Sequence, residues 1–398
     1  MVEKINEKTV KIFGRIDSNN ASQFEKELFN AAGDNIADIT IDAADTEYIS
    51  SAGLRVFLKL KKAASGEVSV INTSNEVYDI FEVTGFTSLL SVSKKLREVS
   101  IDGCEVIGEG ANGKVYRIDD ETIIKVFAPN VSMETVKEER DFAQAAFIAG
   151  VPTAISYDVV KCGDSYGAVY EMLNAKTVAS VIKENPERAE ELGRRLGKLL
   201  KELHSTEADT NVLSNMLDIY KERVESLRKY YTDDEVNKIK SVYGILPQKT
   251  TLVHGDFHAK NVMLMNDELV FIDMGDVGYG HPLQDIGGTY LSMVRVGKID
   301  PNMTEKYVGM NHELCKTVWK AMTDEYFGEK AEIGRKLAEI YGEAKYSLTP
   351  CIYTKFDDEM LKRFVAGVRE RSILNPDFDV SMAQKYVDEL KSKFSLIK

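Results

Sequence analysis

The chain contains 398 residues, more than one hydrophobic core usually organises, so its length predicts at least two domains. Hydrophobic residues make up 43% of the sequence and charged residues 29%, which is typical of soluble globular proteins and excludes disordered or low-complexity classes. The formal net charge of -13 argues against sequence-independent nucleic-acid binding, which needs clustered Lys and Arg. We therefore expect no nucleic-acid partner.

The start of the chain and its cysteines indicate a cytoplasmic protein. Charged Glu3 and Lys4 precede any apolar run, unlike the start of a secretory signal peptide. No segment approaches the roughly 18 apolar residues of a membrane-spanning helix, so no membrane partner is expected. The four cysteines lack metal-ligand spacing and predict reduced thiols.

Residues 1–98 alternate strand-like and helix-like patterns, which predicts a small α/β layer domain. The patterns predict strands over 10–16, 36–41 and 68–71, and helices over 21–32, 53–63 and 77–90. The charged segment 94–103 fits either a linker or the last helix of this domain.

The rest of the chain predicts a second, two-lobed α+β domain. Residues 104–173 are rich in strand patterns with one helix and form the predicted small lobe. Residues 174–398 are mostly helical, apart from a strand-like insert at 251–272, and form the predicted large lobe. We expect a hinge between the lobes and a cleft beside it.

Three glycines, Gly108, Gly110 and Gly113, would let the backbone approach a phosphate closely. The spacing alone is a weak signal, because a dinucleotide-binding loop also needs a helix that opens at the third glycine. Here a hairpin pattern with an acidic turn follows over 114–126, which favours a strand-loop-strand cover over nucleotide phosphates.

Lys125 lies in the second strand after this loop, where a lysine can reach the α- and β-phosphates of a nucleotide. The alternative is an exposed lysine in an edge strand. The helix predicted over 132–147 carries Glu138 and Glu139, either of which could pair with Lys125. We favour Glu139.

The strand pattern that ends at 169–173 leads into the helical region and predicts the hinge. Backbone groups of Glu171 and Leu173 are the predicted partners of the adenine edge. Backbone recognition leaves no side-chain signature, so this prediction rests on position alone.

The strongest signal is the run His254-Gly255-Asp256, followed by Asn261 and Asp273. Phosphoryl transfer needs a carboxylate that orients the attacking hydroxyl and accepts its proton, and ligands for a metal that neutralises phosphate oxygens. Asp256 is predicted to be that carboxylate, and Asn261 and Asp273 to be Mg²⁺ ligands. The two strands between them are expected to form a hairpin at the floor of the cleft.

Three nearby polar residues carry less specific signals. His254 is expected to be a buried structural histidine, whereas His258 fits either a structural or a proton-transfer role. Asp285 is predicted to anchor the catalytic loop through hydrogen bonds.

The run His-Gly-Asp-x-x-x-x-Asn at 254–261, Ile-Asp-Met-Gly-Asp at 272–276 and the later Asp285 resemble the aminoglycoside phosphotransferase and choline kinase branch of the kinase fold. This resemblance covers residues 104–398. It implies a two-lobed protein-kinase-like fold, ATP and Mg²⁺, and transfer to a hydroxyl of a small molecule that the C-terminal helices contact. Eukaryotic-type protein kinases have Arg at the position of Gly255 and an Ala-Pro-Glu segment, which this chain lacks. The regular glycine loop nevertheless leaves a protein substrate open.

In the first domain, the run Gly-Arg-Ile-Asp at 14–17 and residues 47–58 resemble the STAS domains of bacterial anti-sigma-factor antagonists. In those proteins a partner kinase phosphorylates a serine at this helix start. Ser51 aligns best with that serine, and Ser50 replaces the aspartate that often precedes it. Capping of the helix is the alternative role of either hydroxyl. The resemblance implies a regulatory or docking module that binds an anti-sigma-type protein.

Three functions therefore compete. The first is a Mg-ATP-dependent phosphotransferase that acts on a small molecule, with the STAS-like domain as a regulatory module. The second is a protein serine kinase in an anti-sigma-type circuit, with Ser51 of its own domain as a candidate acceptor. The third is a non-catalytic nucleotide-binding scaffold, and the intact set of Lys125, Asp256, Asn261 and Asp273 argues against it.

Overall fold

The computed structural model describes residues 1–33, 36–110, 113–351 and 358–395. The chain divides into two compact units, Met1–Val99 and Ser100–Lys398, each with its own hydrophobic core. The predicted order, an α/β domain followed by a two-lobed α+β domain, is confirmed.

The first unit is a five-stranded sheet in the order β1-β2-β3-β4-β5. Its elements are β1 (Val2–Lys4), β2 (Thr9–Ile16), α1 (Ala21–Ala32), β3 (Ile39–Ile49), α2 (Ser51–Ala63), β4 (Val68–Thr73), α3 (Asn75–Val83) and β5 (Ser91–Lys94). Strand β1 is antiparallel to β2, and each later neighbour is parallel, so a helix connects each parallel pair.

The core of the first unit is centred on three aromatic rings. Phe57 of α2 is fully buried, 5.9 Å from the ring of Phe24 and 5.3 Å from that of Phe81, which it meets edge-on. Each phenylalanine comes from a different helix, so this contact joins all three helices over the sheet.

The small lobe of the second unit is an antiparallel sheet in the order β6-β7-β8-β10-β9 with one helix. Its elements are β6 (Glu105–Gly110), β7 (Gly113–Arg117), β8 (Thr122–Phe127), α4 (Met133–Ile148), β9 (Ser156–Cys162) and β10 (Ser165–Glu171). The side chain of Ser132 caps the first turn of α4 by accepting from the N–H of Thr135 at 3.2 Å.

The large lobe is mainly helical. Its elements are β11 (Lys176–Thr177), α5 (Val178–Glu184), α6 (Ala189–Leu203), α7 (Met216–Ser226), α8 (Asp233–Gly244), β12 (Leu252–Val253), β13 (Val262–Met265), β14 (Glu268–Phe271), β15 (Gly278–Tyr279), α9 (Leu283–Tyr290), α10 (Val296–Ile299), α11 (Pro301–Val308), α12 (His312–Phe327), α13 (Ala331–Tyr346), α14 (Asp358–Arg371) and α15 (Ala383–Ser395). Strand β13 pairs with β11 and β14, and β12 with β15. No helix in the described ranges is long and apolar enough to cross a membrane.

Two predicted elements of the first unit end elsewhere than the sequence pattern indicates. The helix predicted over 77–90 ends at Val83, because Gly85 adopts φ +77°, a left-handed conformation that stops the helix. The strand predicted over 36–41 continues to Ile49, through a polar stretch that has no strand pattern. This stretch is extended because it pairs in parallel with the neighbouring strand β2.

Phe57→Ala should destabilise the first unit by about 3–5 kcal/mol, because it removes a fully buried ring and two ring contacts. Urea unfolding followed by circular dichroism measures this change. Fluorescence of Trp319, the single tryptophan, follows the second unit and identifies which transition has moved. Phe13→Ala, at a ring that is 37% exposed, is the matched control and should cost far less. Equal losses for the two variants would contradict this assignment of the core.

Candidate active site

Three charged residues from separate elements meet where the two lobes join. The ammonium of Lys125, on β8, lies 2.6 Å from a carboxylate oxygen of Glu139 on α4 and 2.9 Å from one of Asp273. Glu138 is exposed, so the geometry selects Glu139 of the two predicted partners. Burial alone would lower the pKa of Lys125, but the charges of Asp273 and Glu139 outweigh it and raise that pKa. The side chain of Lys125 therefore stays positively charged, and the two carboxylates hold it in place.

Asp273 follows β14 in a left-handed conformation with φ +58°. Its side chain is 52% exposed, while those of Lys125 and Glu139 are 17% and 13% exposed. Asp273 is thus held on one side by the lysine and remains open to the cleft on the other.

The glycine loop connects β6 and β7. Gly110 and Gly113 are paired across the hairpin, and residues 111 and 112 at its tip lie outside the described part of the chain. A Cβ on Gly113 would lie 2.1 Å from the carbonyl oxygen of Val126 on β8, so no larger residue fits there. A Cβ on Gly108 would make ordinary van der Waals contact with Val115 at 3.5 Å, and one on Gly110 would meet no atom within 4 Å. Close packing against β8 therefore excludes a side chain at Gly113 but not at Gly108 or Gly110.

The predicted hinge follows β10. The N–H of Glu171 donates to Ile155 at 2.9 Å and the N–H of Met172 to Glu121 at 2.7 Å, while the carbonyl of Leu173 accepts from Ala175. These three hydrogen bonds hold the backbone of the predicted hinge in place. A contact of Glu171 or Leu173 with adenine stays a prediction.

A buried carboxylate anchors the catalytic loop through hydrogen bonds to its backbone. Asp285 of α9 accepts from the backbone N–H groups of His254 at 2.6 Å and Gly255 at 2.7 Å. Its side chain is fully buried and lies 3.1 Å from Nε2 of His204, at the end of α6. Burial works against ionisation, but the hydrogen bonds from His204 and the backbone keep the pKa of Asp285 below its usual value. Asp285 therefore has the anchoring geometry that the sequence predicts.

Two members of this network carry no recognisable motif. His204 reaches Asp285 with one ring nitrogen and the hydroxyl of Tyr326, on α12, with the other at 2.8 Å. Both side chains are buried among helices that are far apart in sequence. No spacing rule connects them to residue 285, which is why the sequence did not reveal them.

Asp256 projects from this loop with a side chain that is 55% exposed. Asn261 donates from its amide nitrogen to the carbonyl of Asp256 at 3.0 Å, and Nε2 of His258 lies 3.6 Å from the Asp256 carboxylate. Partial desolvation of the half-exposed carboxylate would raise the pKa of Asp256, but His258 and the ammonium of Lys345 hold that pKa well below its usual range. Asp256 is therefore an ionised and accessible carboxylate beside Asn261 and His258.

The hairpin predicted after Asn261 is present. Val262 of β13 pairs with Phe271 of β14, and the two-residue turn is formed by Asn266 and Asp267 with positive φ values. This hairpin brings Asp273 back beside the catalytic loop. His254 is buried against aromatic rings, as expected of a structural histidine.

In the first unit, Ser50 and Ser51 occupy the start of α2. The hydroxyl of Ser50 accepts from the N–H of Gly53 at 3.4 Å, so Ser50 is the N-cap. Ser51 is the first helical residue and its side chain is exposed. The geometry therefore separates a capping serine from an accessible one.

Comparison with protein families gives two matches that together cover most of the chain. The model described as "Phosphotransferase enzyme family" matches residues 103–319. The model described as "STAS domain" matches residues 1–99.

Curated relatives of the first unit are bacterial. BtrV of Bordetella bronchiseptica, named as an anti-sigma factor antagonist, is 35% identical over 83 residues, which cover 20% of this chain and 72% of that protein. The anti-sigma-B factor antagonist of Bacillus subtilis is 31% identical over 93 residues, which cover 23% of this chain and 84% of that protein.

Solved structures with a similar chain path include phosphotransferases and kinases. The ADP-bound aminoglycoside phosphotransferase APH(2'')-Ib is 20% identical, with a TM-score of 0.46, and the match covers 74% of this chain and 97% of that one. A choline/ethanolamine kinase family protein from Mesorhizobium loti is 17% identical, with a TM-score of 0.44 and coverage of 74% and 92%.

Gly255→Ala should destabilise the second unit by about 2–5 kcal/mol, because two costs add. Gly255 has φ +85°, and a Cβ there would lie 2.2 Å from the carbonyl oxygen of Asp276. Gly103→Ala is the matched control, since Gly103 has φ +78° with no atom within 4 Å of the new Cβ. The control should lose only about 1–2 kcal/mol of unfolding free energy, measured in urea by Trp319 fluorescence. An equal loss in both variants would show that the close contact with Asp276 is unimportant.

Proposed function

We propose, from the premise that the chain belongs to the phosphotransferase enzyme family, that it transfers the γ-phosphate of ATP to a hydroxyl group of a small molecule. The observation that carries this proposal is the meeting of Lys125, Glu139 and Asp273 beside the loop that presents Asp256. Each comes from a different element, and ion-paired lysine and metal-binding aspartate are the two groups that kinase-fold enzymes place around nucleotide phosphates.

Each residue has a distinct role in this proposal. Lys125 binds the α- and β-phosphates and is kept in place by Glu139, while the backbone at Gly108 and Gly110 covers the phosphates. Backbone groups of Glu171 and Leu173 bind the adenine edge. Asp256 orients the acceptor hydroxyl and takes its proton.

The reaction forms one bond and breaks another. The acceptor oxygen attacks the γ-phosphorus while its proton passes to Asp256, and the bond from the γ-phosphorus to the bridging oxygen of ADP breaks. The low pKa of Asp256 means that the carboxylate is ionised before the hydroxyl arrives, and a base this weak gains the proton late, as the bond to phosphorus forms.

The residues beside Asp256 fit a magnesium ion shared with the nucleotide. No group of three or more His, Cys, Asp or Glu side chains within the described ranges could hold a metal by itself. Mg²⁺ at nucleotide sites usually takes only one or two protein oxygens and completes its shell with phosphates and water. Asp273 offers a carboxylate and Asn261 an amide oxygen, since the amide nitrogen is used on Asp256. Bound there, Mg²⁺ would neutralise phosphate oxygens.

The purified chain should transfer labelled γ-phosphate from Mg-ATP to a member of a panel of hydroxyl compounds: aminoglycosides, choline, ethanolamine and sugars. Asp256→Asn should lower the rate by about 10²–10⁴-fold and leave ATP binding intact, because only the proton acceptor is lost. Asp267→Asn, at a turn residue that is 83% exposed, is the matched control and should retain full activity. Wild-type turnover in the Asp256→Asn variant would refute the mechanism. In the wild-type protein, chelation of Mg²⁺ should stop phosphate transfer.

For the STAS domain we propose a regulatory role in which Ser51 is a phosphate acceptor. The exposed hydroxyl of Ser51 at the first position of α2 supports this proposal, since a phosphate there is favoured by the helix dipole. Phosphorylation would change the surface that an anti-sigma-type protein partner contacts. The second candidate function, a protein serine kinase, is favoured if the kinase unit of the same chain modifies this residue.

Mass mapping after incubation with Mg-ATP alone distinguishes these roles. Label at Ser51 that is lost in both Ser51→Ala and Asp256→Asn would support self-phosphorylation, whereas label only in an added metabolite would leave the small-molecule function. Ser50→Ala is the control for a change at the helix start: it should cost about 1 kcal/mol of stability, because the N-cap is lost, without removing the acceptor. Label that survives in Ser51→Ala would exclude Ser51 as the acceptor.

A further inference from the structure

Helices α9 and α13 cross at an unusually close distance beside the catalytic loop. A Cβ on Gly287 of α9 would lie 2.8 Å from Cβ of Tyr341, and a Cβ on Gly342 of α13 would lie 2.8 Å from the carbonyl oxygen of Gly287. Both crossing points are therefore glycine because the backbones nearly touch. This crossing brings the C-terminal turn of α13 against Gly288 of α9, about one turn beyond Asp285, which holds the loop.

Lys345 lies one turn beyond the crossing and reaches the catalytic loop. Its ammonium donates to the carbonyl oxygen of Gly255 at 2.6 Å. A Cβ on Gly288 would lie 2.7 Å from that ammonium, so the missing side chain at 288 leaves the passage through which Lys345 extends. Burial would lower the pKa of Lys345, but surrounding groups, including Asp256 and Asp285, raise it, so the side chain stays charged.

Lys345 contacts the carbonyl oxygen of Gly255, directly before Asp256, and so affects the orientation of Asp256. The carbonyl of Gly255 and the N–H of Asp256 belong to the same rigid peptide plane. Glycine allows wide rotation on the other side of that plane, so the plane needs an external partner to keep one orientation. Asp285 fixes the N–H groups before it, and Asn261 fixes the carbonyl after it. The N–H of Asp256 donates to Nδ1 of His254 at 3.4 Å, within the loop, and Lys345 holds the carbonyl end of the same plane from outside the loop.

We infer that Lys345 is a positioning residue for phosphoryl transfer: from the helical region, it fixes the Gly255–Asp256 peptide and with it the position of Asp256. The inference rests on the proposed function. Lys345 acts through Asp256 and has no assigned contact with nucleotide. It couples the orientation of α13 to the geometry of the catalytic loop.

The test uses release of phosphate from Mg-ATP by the full chain, with water as the acceptor, and nucleotide affinity measured separately. Lys345→Met keeps the length of the side chain and removes the ammonium, so kcat should fall about 100-fold while the dissociation constant for ATP is unchanged. Lys345→Arg should recover much of the rate, because it restores a donor and a charge. Lys336→Met, at an exposed lysine of the same helix that pairs with Glu332, is the matched control and should behave as wild type.

A second variant displaces the ammonium without removing it. Gly288→Ala puts a methyl group 2.7 Å from the ammonium position, so the lysine must move although its charge remains. Alanine favours a helix more than glycine does, so the fold should tolerate this change. We expect a lower kcat with unchanged ATP affinity, and this variant decides the question if Lys345→Met does not fold.

The outcomes separate the two proposals. Wild-type phosphate release that Asp256→Asn does not reduce would show that the proposed function is wrong, and the role of Lys345 with it. Release that depends on Asp256 but proceeds at the full rate in Lys345→Met, or in Gly288→Ala, would overturn the role of Lys345 alone. A parallel loss of ATP affinity and kcat in Lys345→Met, without rescue by Lys345→Arg, would likewise assign the lysine to general stability.

Discussion

The buried carboxylate of Asp285 is the interaction on which the rest of the active site depends. It accepts from two consecutive backbone N–H groups, those of His254 and Gly255, and from the imidazole of His204. An ionised carboxylate without such partners would be very costly inside a protein, so the loop and the carboxylate stabilise each other. This exchange fixes the N–H groups of His254 and Gly255, the two residues before Asp256.

The second group of charged residues in the site is Lys125 with its two carboxylate partners, Glu139 and Asp273. Lys125 lies between two carboxylates, and only Asp273 of the two is half exposed to the cleft. Such a buried cation needs its partners, since removal of one would leave a charge with insufficient compensation. Glu139 therefore serves to hold the lysine, and Asp273 keeps one side available for other ligands.

The site is also tied to the helical region. The glycines at the crossing of α9 and α13 permit a backbone approach that larger residues would prevent, and that approach carries Lys345 to the loop. A shift of α13 would therefore act on the carbonyl of Gly255, the residue before Asp256. In the first unit, the two adjacent serines at the start of α2 differ in their roles: Ser50 caps the helix, and Ser51 is exposed.

The sequence by itself determined the order of the two units and the hairpin between Asn261 and Asp273. These features are encoded locally: alternating patterns specify strands, and His-Gly-Asp with its following asparagine needs a fixed spacing because one tight loop must present both side chains. The tertiary structure alone decided between Glu138 and Glu139, ended a predicted helix at Val83, and recruited His204, Tyr326 and Lys345. Those outcomes depend on which helix faces which, and contacts between segments about 100 residues apart leave no periodicity or spacing in the sequence.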